Sequence, residues 1–429
     1  MWLRLAALAA FAIAPCVHAQ APSPAVPPDT LTLEDAIARV ARVHPDLRLF
    51  GARTETLLAE REVALQRPAW RAGLDVENVL GSGNARGFDQ AEVTLTLAGV
   101  LERGGKLDAR RTLAQARIDA LSVQREAQRL DLLADVARRY LAVTGARAAA
   151  VVARRDIAQR TRTVAAARQR LQAGASPESV VLTAQAALAR AELALARAEQ
   201  QSVAARQHLA ALWGERDPRF ILADGDPLAL PPVADMAELA TFLQGTPELA
   251  QIADERRIRE ARVRLARTAA TPDLDWQVGV RRLQDGDDTA LVGGVSLALG
   301  GARRAQPGIR AAEADLASLE IERESRDVAL YSTLTDAHGR YRVAQLDVQR
   351  TRDDVLPRLV RAEQAAERAY RAGAISYLEW AQLQSETTAT RRQQLDAALE
   401  AHLALIELQR LTGQALVAAP TTPEQGISP

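Results

Sequence analysis

The chain has 429 residues, a length for two or three domains, and its 54 basic residues balance its 54 acidic ones. With no net charge it has no long-range field favouring nucleic acid or an anionic surface. Only 3% of its residues are aromatic, which is poor supply for one compact core. Alanine, leucine, arginine, glutamate and glutamine dominate, the composition of long helices.

At the N-terminus, Arg4 precedes an apolar run from Leu5 to Ala14, and Val17-His-Ala19 fits a small-residue cleavage site. Residues 1–19 therefore read as a secretory signal peptide, too short to span a membrane. Its removal takes away Cys16, the only cysteine, so the mature chain has no disulfide and no thiol ligand. A rival reading takes Ile13-Ala-Pro-Cys16 as a degraded lipoprotein box with Cys16 lipidated; the proline before the cysteine disfavours that processing. Past the signal no stretch of eighteen consecutive apolar residues occurs. An exported chain can still enter a membrane as a closed barrel, where every backbone hydrogen bond is satisfied.

Residues 20–30 form a proline-rich lead-in. Two repeats follow, residues 31–214 and 235–414, separated by a Pro-, Gly- and Asp-rich linker over 215–234. His44-Pro-Asp-Leu47 recurs as Thr246-Pro-Glu-Leu249, Val93-Thr-Leu-Thr-Leu97 as Val295-Ser-Leu-Ala-Leu299, and Leu171-Gln-Ala-Gly-Ala175 as Tyr370-Arg-Ala-Gly-Ala374. Within each repeat the pattern predicts helix, strand, strand, long helix, long helix. The strands fall at about 70–80 and 90–99, then 273–282 and 290–299. The long helices fall at about 105–173 and 176–212, then 305–371 and 376–412. Ser176 is expected to cap the second helix with Pro177 in its first turn, and Pro357 to kink the third. Val181, Ala184, Leu188, Ala191, Leu195 and Ala198 repeat at coiled-coil spacing. Residues 415–429 read as a flexible tail.

Each strand alternates apolar and polar residues over about ten positions, enough for a tilted membrane strand. The alternative is a water-soluble sheet with one buried face. Between the first two strands lies Gly81-Ser-Gly-Asn-Ala-Arg-Gly87. It is no phosphate loop, because its third glycine is one place late and a strand follows it rather than a helix. It reads as a hairpin tip containing Gly81, Gly83 and Gly87, with Asp285 and Gly286 in its counterpart. Four strands cannot close a barrel, so the chain should oligomerise: two copies give eight strands and three give twelve with a lumen. Trp70 and Trp276 either join an interfacial aromatic girdle or anchor the strand–helix junction.

The order of elements resembles the TolC family of outer-membrane efflux proteins over nearly the whole mature chain. Glu77-Asn78, Gly81-Ser-Gly, Arg86-Gly-Phe-Asp89, Glu92 and Leu101-Glu-Arg-Gly-Gly-Lys106 are similar to its CzcC-like, heavy-metal branch. Arg103 and Ala98-Gly-Val100 depart from that branch. The resemblance implies a mainly α chain with a membrane β-barrel part. Three copies would form a 12-stranded barrel and a periplasmic tunnel of helices. It also implies a place in the Gram-negative outer membrane, a periplasmic adaptor protein and an inner-membrane resistance-nodulation-division transporter as partners, and no cofactor. The turns at Gly174-Ala175-Ser176 and Gly373-Ala374-Ile375 would meet the adaptor. Glu379 and Gln382 would fall at the periplasmic aperture, where a ring of carboxylates selects cations, and Tyr370 would help hold the tip closed.

No metal cluster and no nucleophile–base pair stands out, so neither enzymatic activity nor a tight metal site is expected. Multidrug export, or type I secretion through the same fold, is the alternative cargo. A soluble periplasmic coiled-coil scaffold is the alternative class.

Overall fold

The computed structural model describes residues 30–83 and 86–414. The signal peptide with Cys16, the lead-in as far as residue 29 and the tail 415–429 lie outside the described residues.

The first repeat runs β1 (Thr30–Leu31), α1 (Leu33–Val43), α2 (Pro45–Ala64), β2 (Arg71–Glu77), β3 (Glu92–Leu101), α3 (Lys106–Gln172) and α4 (Glu178–Ala210). After β4 (Ile221–Leu222), the second runs α5 (Met236–Phe242), α6 (Pro247–Thr268), β5 (Leu274–Leu283), β6 (Asp288–Leu297), α7 (Gly301–Arg350), α8 (Leu356–Arg371) and α9 (Tyr377–Thr412). Helix starts follow from local chemistry. Thr32 and Asp35 form a reciprocal capping box on α1. His44 and Thr246 cap α2 and α6 at matching places, each followed by a proline in the first turn.

The four long strands form one antiparallel sheet in the order β2-β3-β5-β6. The register Leu74↔Leu95, Leu95↔Val280 and Val280↔Leu291 puts one apolar row on one face. That face is uncovered: Leu74 is 66%, Leu95 60%, Leu291 88% and Val295 69% exposed. The opposite face carries Asp75, Glu77, Glu92, Thr94, Asp275, Gln277 and Arg281 by the same pairing. A face this apolar and this open is unstable in water and stable in lipid.

The helices form two hairpins, α3–α4 and α7/α8–α9, that pack side by side. On α4, Val181, Ala184, Ala191 and Ala198 are buried, so the seam lets the helices approach closely. Helix α4, extended to Trp213, is long and apolar enough by composition to cross a membrane; its buried seam lies along α3.

The structure revises several details. Leu80 does not continue the first strand, which ends at Glu77; Asn78 and Leu80 take left-handed φ values of 57° and 61° as the chain turns into the hairpin tip. Ser176 makes no cap bond, because Pro177 is the boundary residue and α4 begins at Glu178. The third long helix starts earlier, at Gly301, and is not continuous to 371. A π turn over Thr351–Val355 interrupts it immediately before Pro357, whose missing N–H and ring displace the regular hydrogen bonding. The segment 215–234 is built into the core: β4 pairs in parallel with β1, and Phe220 and Leu222 are buried.

Candidate functional site

The two hairpin ends are made alike. Helix α3 ends with Gly174 at φ 69° and α8 with Gly373 at φ 80°, conformations that glycine adopts without a Cβ clash. In the first, the Ala175 N–H donates to the Arg170 carbonyl at 2.8 Å and the Gly174 N–H to Leu171 at 2.9 Å. In the second, Ala374 donates to Ala369 at 2.8 Å and Gly373 to Tyr370 at 3.0 Å. Both are Schellman turns, which satisfy the last helical carbonyls. Ala175, Ser176, Ala374 and Ile375 complete these turns; Ser376 caps α9 by accepting from the Glu379 N–H.

The tips meet through an apolar cluster of Val164, Ala167, Val181, Tyr370, Tyr377 and Trp380. The Tyr370 ring lies 5.1 Å from Trp380 and 6.4 Å from Tyr377. Its hydroxyl, and the Trp380 indole nitrogen, are buried without a hydrogen-bond partner among the described residues. Tyr370 therefore acts here through its ring. Arg170 is the residue that sequence reasoning missed. Its guanidinium sits 4.9 Å over the Tyr370 ring, donates to the Tyr370 carbonyl at 2.6 Å and to Ala175 at 3.3 Å. One side chain thus ties the first turn to the end of α8. Its place in the sequence, three residues before Ala173 in an arginine-rich helix, gave no signal.

Glu379 and Gln382 are both exposed on α9, one turn apart, on the side away from the buried Trp380. Glu386, also exposed, extends that row by another turn.

Above the tip, α3, α8 and α9 bury polar groups against each other. Gln159 donates to Glu363 at 2.6 Å, Thr388 to Asp156 at 3.0 Å, and Gln384 to Thr163 at 2.8 Å. Burial raises the Glu363 pKa above the ordinary carboxylate range, with Arg391, Thr387, Gln159 and Arg162 opposing it. Burial lowers the pKa of His402, whose Nε2 lies 3.0 Å from the Pro227 carbonyl oxygen. No group of three or more metal-ligating side chains occurs among the described residues.

At the other end, the Leu101–Lys106 stretch builds the strand-to-helix junction. Glu102 takes a two-pronged bond from Arg110 at 2.7 Å, and Lys106 pairs with Asp273 at 2.7 Å. Asp273 also accepts from the Arg103 backbone, a contact that any residue at 103 can make. Trp70 and Trp276 meet edge to face at 6.3 Å beside this junction, with the Trp276 ring over Gly99. The hairpin tips are glycine turns: Gly83, Gly87 and Gly286 have φ of 66°, 74° and 83°. Gly81 follows Leu80, whose N–H donates to Gly87, and Asp285 opens a single 3-10 turn.

A sheet with one apolar face, joined directly to two long helix hairpins, defines the class: the fold is that of the TolC-like outer-membrane efflux channels. Residues 49–215 match the family described as outer membrane efflux protein, a family of channels and not of enzymes. Over 314 residues, 73% of this chain and 75% of the other, the sequence is 27% identical to the cobalt-zinc-cadmium resistance protein CzcC of Cupriavidus metallidurans. Among solved structures, CusC superposes with a TM-score of 0.74 at 17% identity, covering 89% of this chain and 92% of that one. The outer membrane protein VceC of Vibrio cholerae gives 0.70 at 17%, covering 90% and 97%. The chain thus has the fold of the TolC-like outer membrane channels, and its residues 49–215 match the outer membrane efflux protein family.

Proposed function

We propose that this protein is the outer-membrane exit duct of a tripartite resistance-nodulation-division efflux pump whose cargo is heavy-metal cations. The observation that carries the reading is the uncovered apolar sheet face set on a long helical hairpin pair, in a chain similar to CzcC. The apolar row faces lipid and the acidic and hydroxyl row faces water. Three copies pair β6 of one chain with β2 of the next, because both are unpaired edges of the four-stranded sheet. Twelve strands then enclose a lumen and the hairpins line a periplasmic tunnel.

The duct is passive and has no enzymatic activity; energy comes from the inner-membrane transporter. The turns at Gly174-Ala175-Ser176 and Gly373-Ala374-Ile375 receive the periplasmic adaptor. Glu379, with Gln382 beside it, lines the aperture, where three carboxylates attract cations without holding them. The loops around Gly81, Gly83, Gly87, Asp285 and Gly286 lie at the extracellular mouth, with Trp70 and Trp276 at the membrane boundary.

Deleting the gene and scoring growth on zinc, cobalt, cadmium and copper against growth on a drug panel tests the cargo. Metal sensitivity restored by the intact chain is expected. A strain sensitive to drugs alone would transfer the duct to multidrug export.

A further inference from the structure

Between α3, α4, the 223–228 segment, the start of α8 and the middle of α9 lies an open cavity of about 660 Å³. That volume suits a small organic molecule. Five arginines and three carboxylates line it. Two arginines are already paired: Arg147 with Asp224 at 3.1 Å and Arg154 with Glu199 at 3.0 Å. The remaining three are Arg155, Arg206 and Arg391. Among the described residues Arg155 has no ion pair or hydrogen bond, and the buried Nε of Arg206 has no partner. Arg391 has only a 3.5 Å contact from Nη1 to Gln159.

Arg391 also feels its neighbours. Its pKa is lowered by burial, with the Arg155 charge adding to the depression and Glu363 and Asp156 opposing it. Two guanidiniums thus repel across a partly desolvated space, and the third carboxylate of the lining, Asp226, accepts from the Leu228 backbone instead. Val151, Leu356 and Leu395 give the same space an apolar part of its lining.

We infer that this cavity is a binding site for a small organic anion with an apolar body, its carboxylate or sulfonate held by Arg206 and Arg391. Guanidinium groups take such oxyanions through paired N–H donors, and the apolar wall takes the rest. The surplus of arginine repels a metal cation, so the site is separate from the cargo path. An occupant would touch Leu356, the first residue after the π turn, and so would bear on the break between α7 and α8.

The test uses the purified full-length assembly in neutral detergent and para-trifluoromethylbenzoate, followed by fluorine NMR. The neutral para-trifluoromethylbenzyl alcohol is the comparison. Saturable binding of the acid, one per chain and at least tenfold tighter than the alcohol, is expected. Arg206→Gln should weaken it tenfold or more, and Val151→Trp, which puts an indole into the space beside Arg155, should weaken it by a similar factor. Arg219→Gln, at an exposed side chain outside the cavity, should leave it unchanged. Trimer elution and melting temperature identify a variant that fails to fold, in which case the other decides. Equal binding of acid and alcohol, or binding that survives both cavity variants, would mean micelle partition and overturn the site. Absence of binding would mean that the assembled protein fills the cavity itself, and would overturn it too.

Discussion

The two hairpins share a turn and differ in everything around it. At equal distances from the turn glycine, the first has Leu171, Glu178, Val180 and Val181, and the second has Tyr370, Tyr377, Glu379 and Trp380. The outer helix of the first, α3, runs unbroken for 67 residues, whereas that of the second is split by a π turn into pieces of 50 and 16 residues. Ten residues before the turn the first buries Val164 and the second buries Glu363. The first hairpin is thus unbroken and aliphatic at its turn, although α3 also buries Asp156, Gln159, Arg160 and Thr163 further up. The second carries the aromatic cluster, the helix break, the buried Glu363 and the exposed Glu379. The two are tied at the tip by Arg170, which reaches from the first hairpin to Tyr370 of the second.

The largest expected effect comes from erasing the aromatic difference. Trp380→Val gives the second tip the residue of the first and leaves a cavity beneath Tyr370, costing about 3 kcal/mol. Thermal unfolding of the trimer checks it; a loss under about 1 kcal/mol would show that the cluster is not what holds the tips together. Next is the tie between the hairpins. Arg170→Gln removes two carbonyl contacts and the ring contact, worth about 1–3 kcal/mol. It should raise channel conductance in a planar bilayer, and unchanged conductance would remove Arg170 as a latch.

The buried acid gives a pH signature. Because the folded state raises the Glu363 pKa, it binds the proton more tightly than the unfolded chain. Its contribution to stability is therefore best at acid pH and declines as pH rises from the ordinary carboxylate value through the raised one. Glu363→Gln should flatten that decline and melt higher than the parent at neutral pH, read from melting temperatures across the pH range. A parent curve that rises over that interval would contradict the assignment. The smallest effect on stability is at Glu379. Glu379→Ala should change stability by under about 0.5 kcal/mol, since the side chain is exposed. It should nevertheless lower cation selectivity in reversal-potential measurements; unaltered selectivity would take Glu379 out of the aperture.

Much of this architecture is written in local chemistry. Period-two alternation in 274–283 and unbroken helical composition after Lys106 are properties of short windows, and backbone geometry forces their consequence. The matching copies of the Ala-Gly-Ala turns made the repeat legible, because only glycine takes a left-handed turn without strain. The capping details were less legible: Ser376 makes its cap bond, whereas Ser176, one place nearer its turn glycine, does not. Pro177 occupies the boundary in one case, and Tyr377 starts the helix in the other.

By itself, then, the sequence determined the elements, their order, the duplication, the glycine turns and the two faces of each strand, since all depend on residues close in the chain. Only the tertiary structure decided that Arg170 reaches Tyr370, that Lys106 reaches Asp273, that 215–234 enters the core through β4, and that three arginines from α3, α4 and α9 share one cavity. Those contacts join residues from about fifty to more than two hundred positions apart. Their pairing depends on how long helices are rotated against each other, a quantity that no local window encodes.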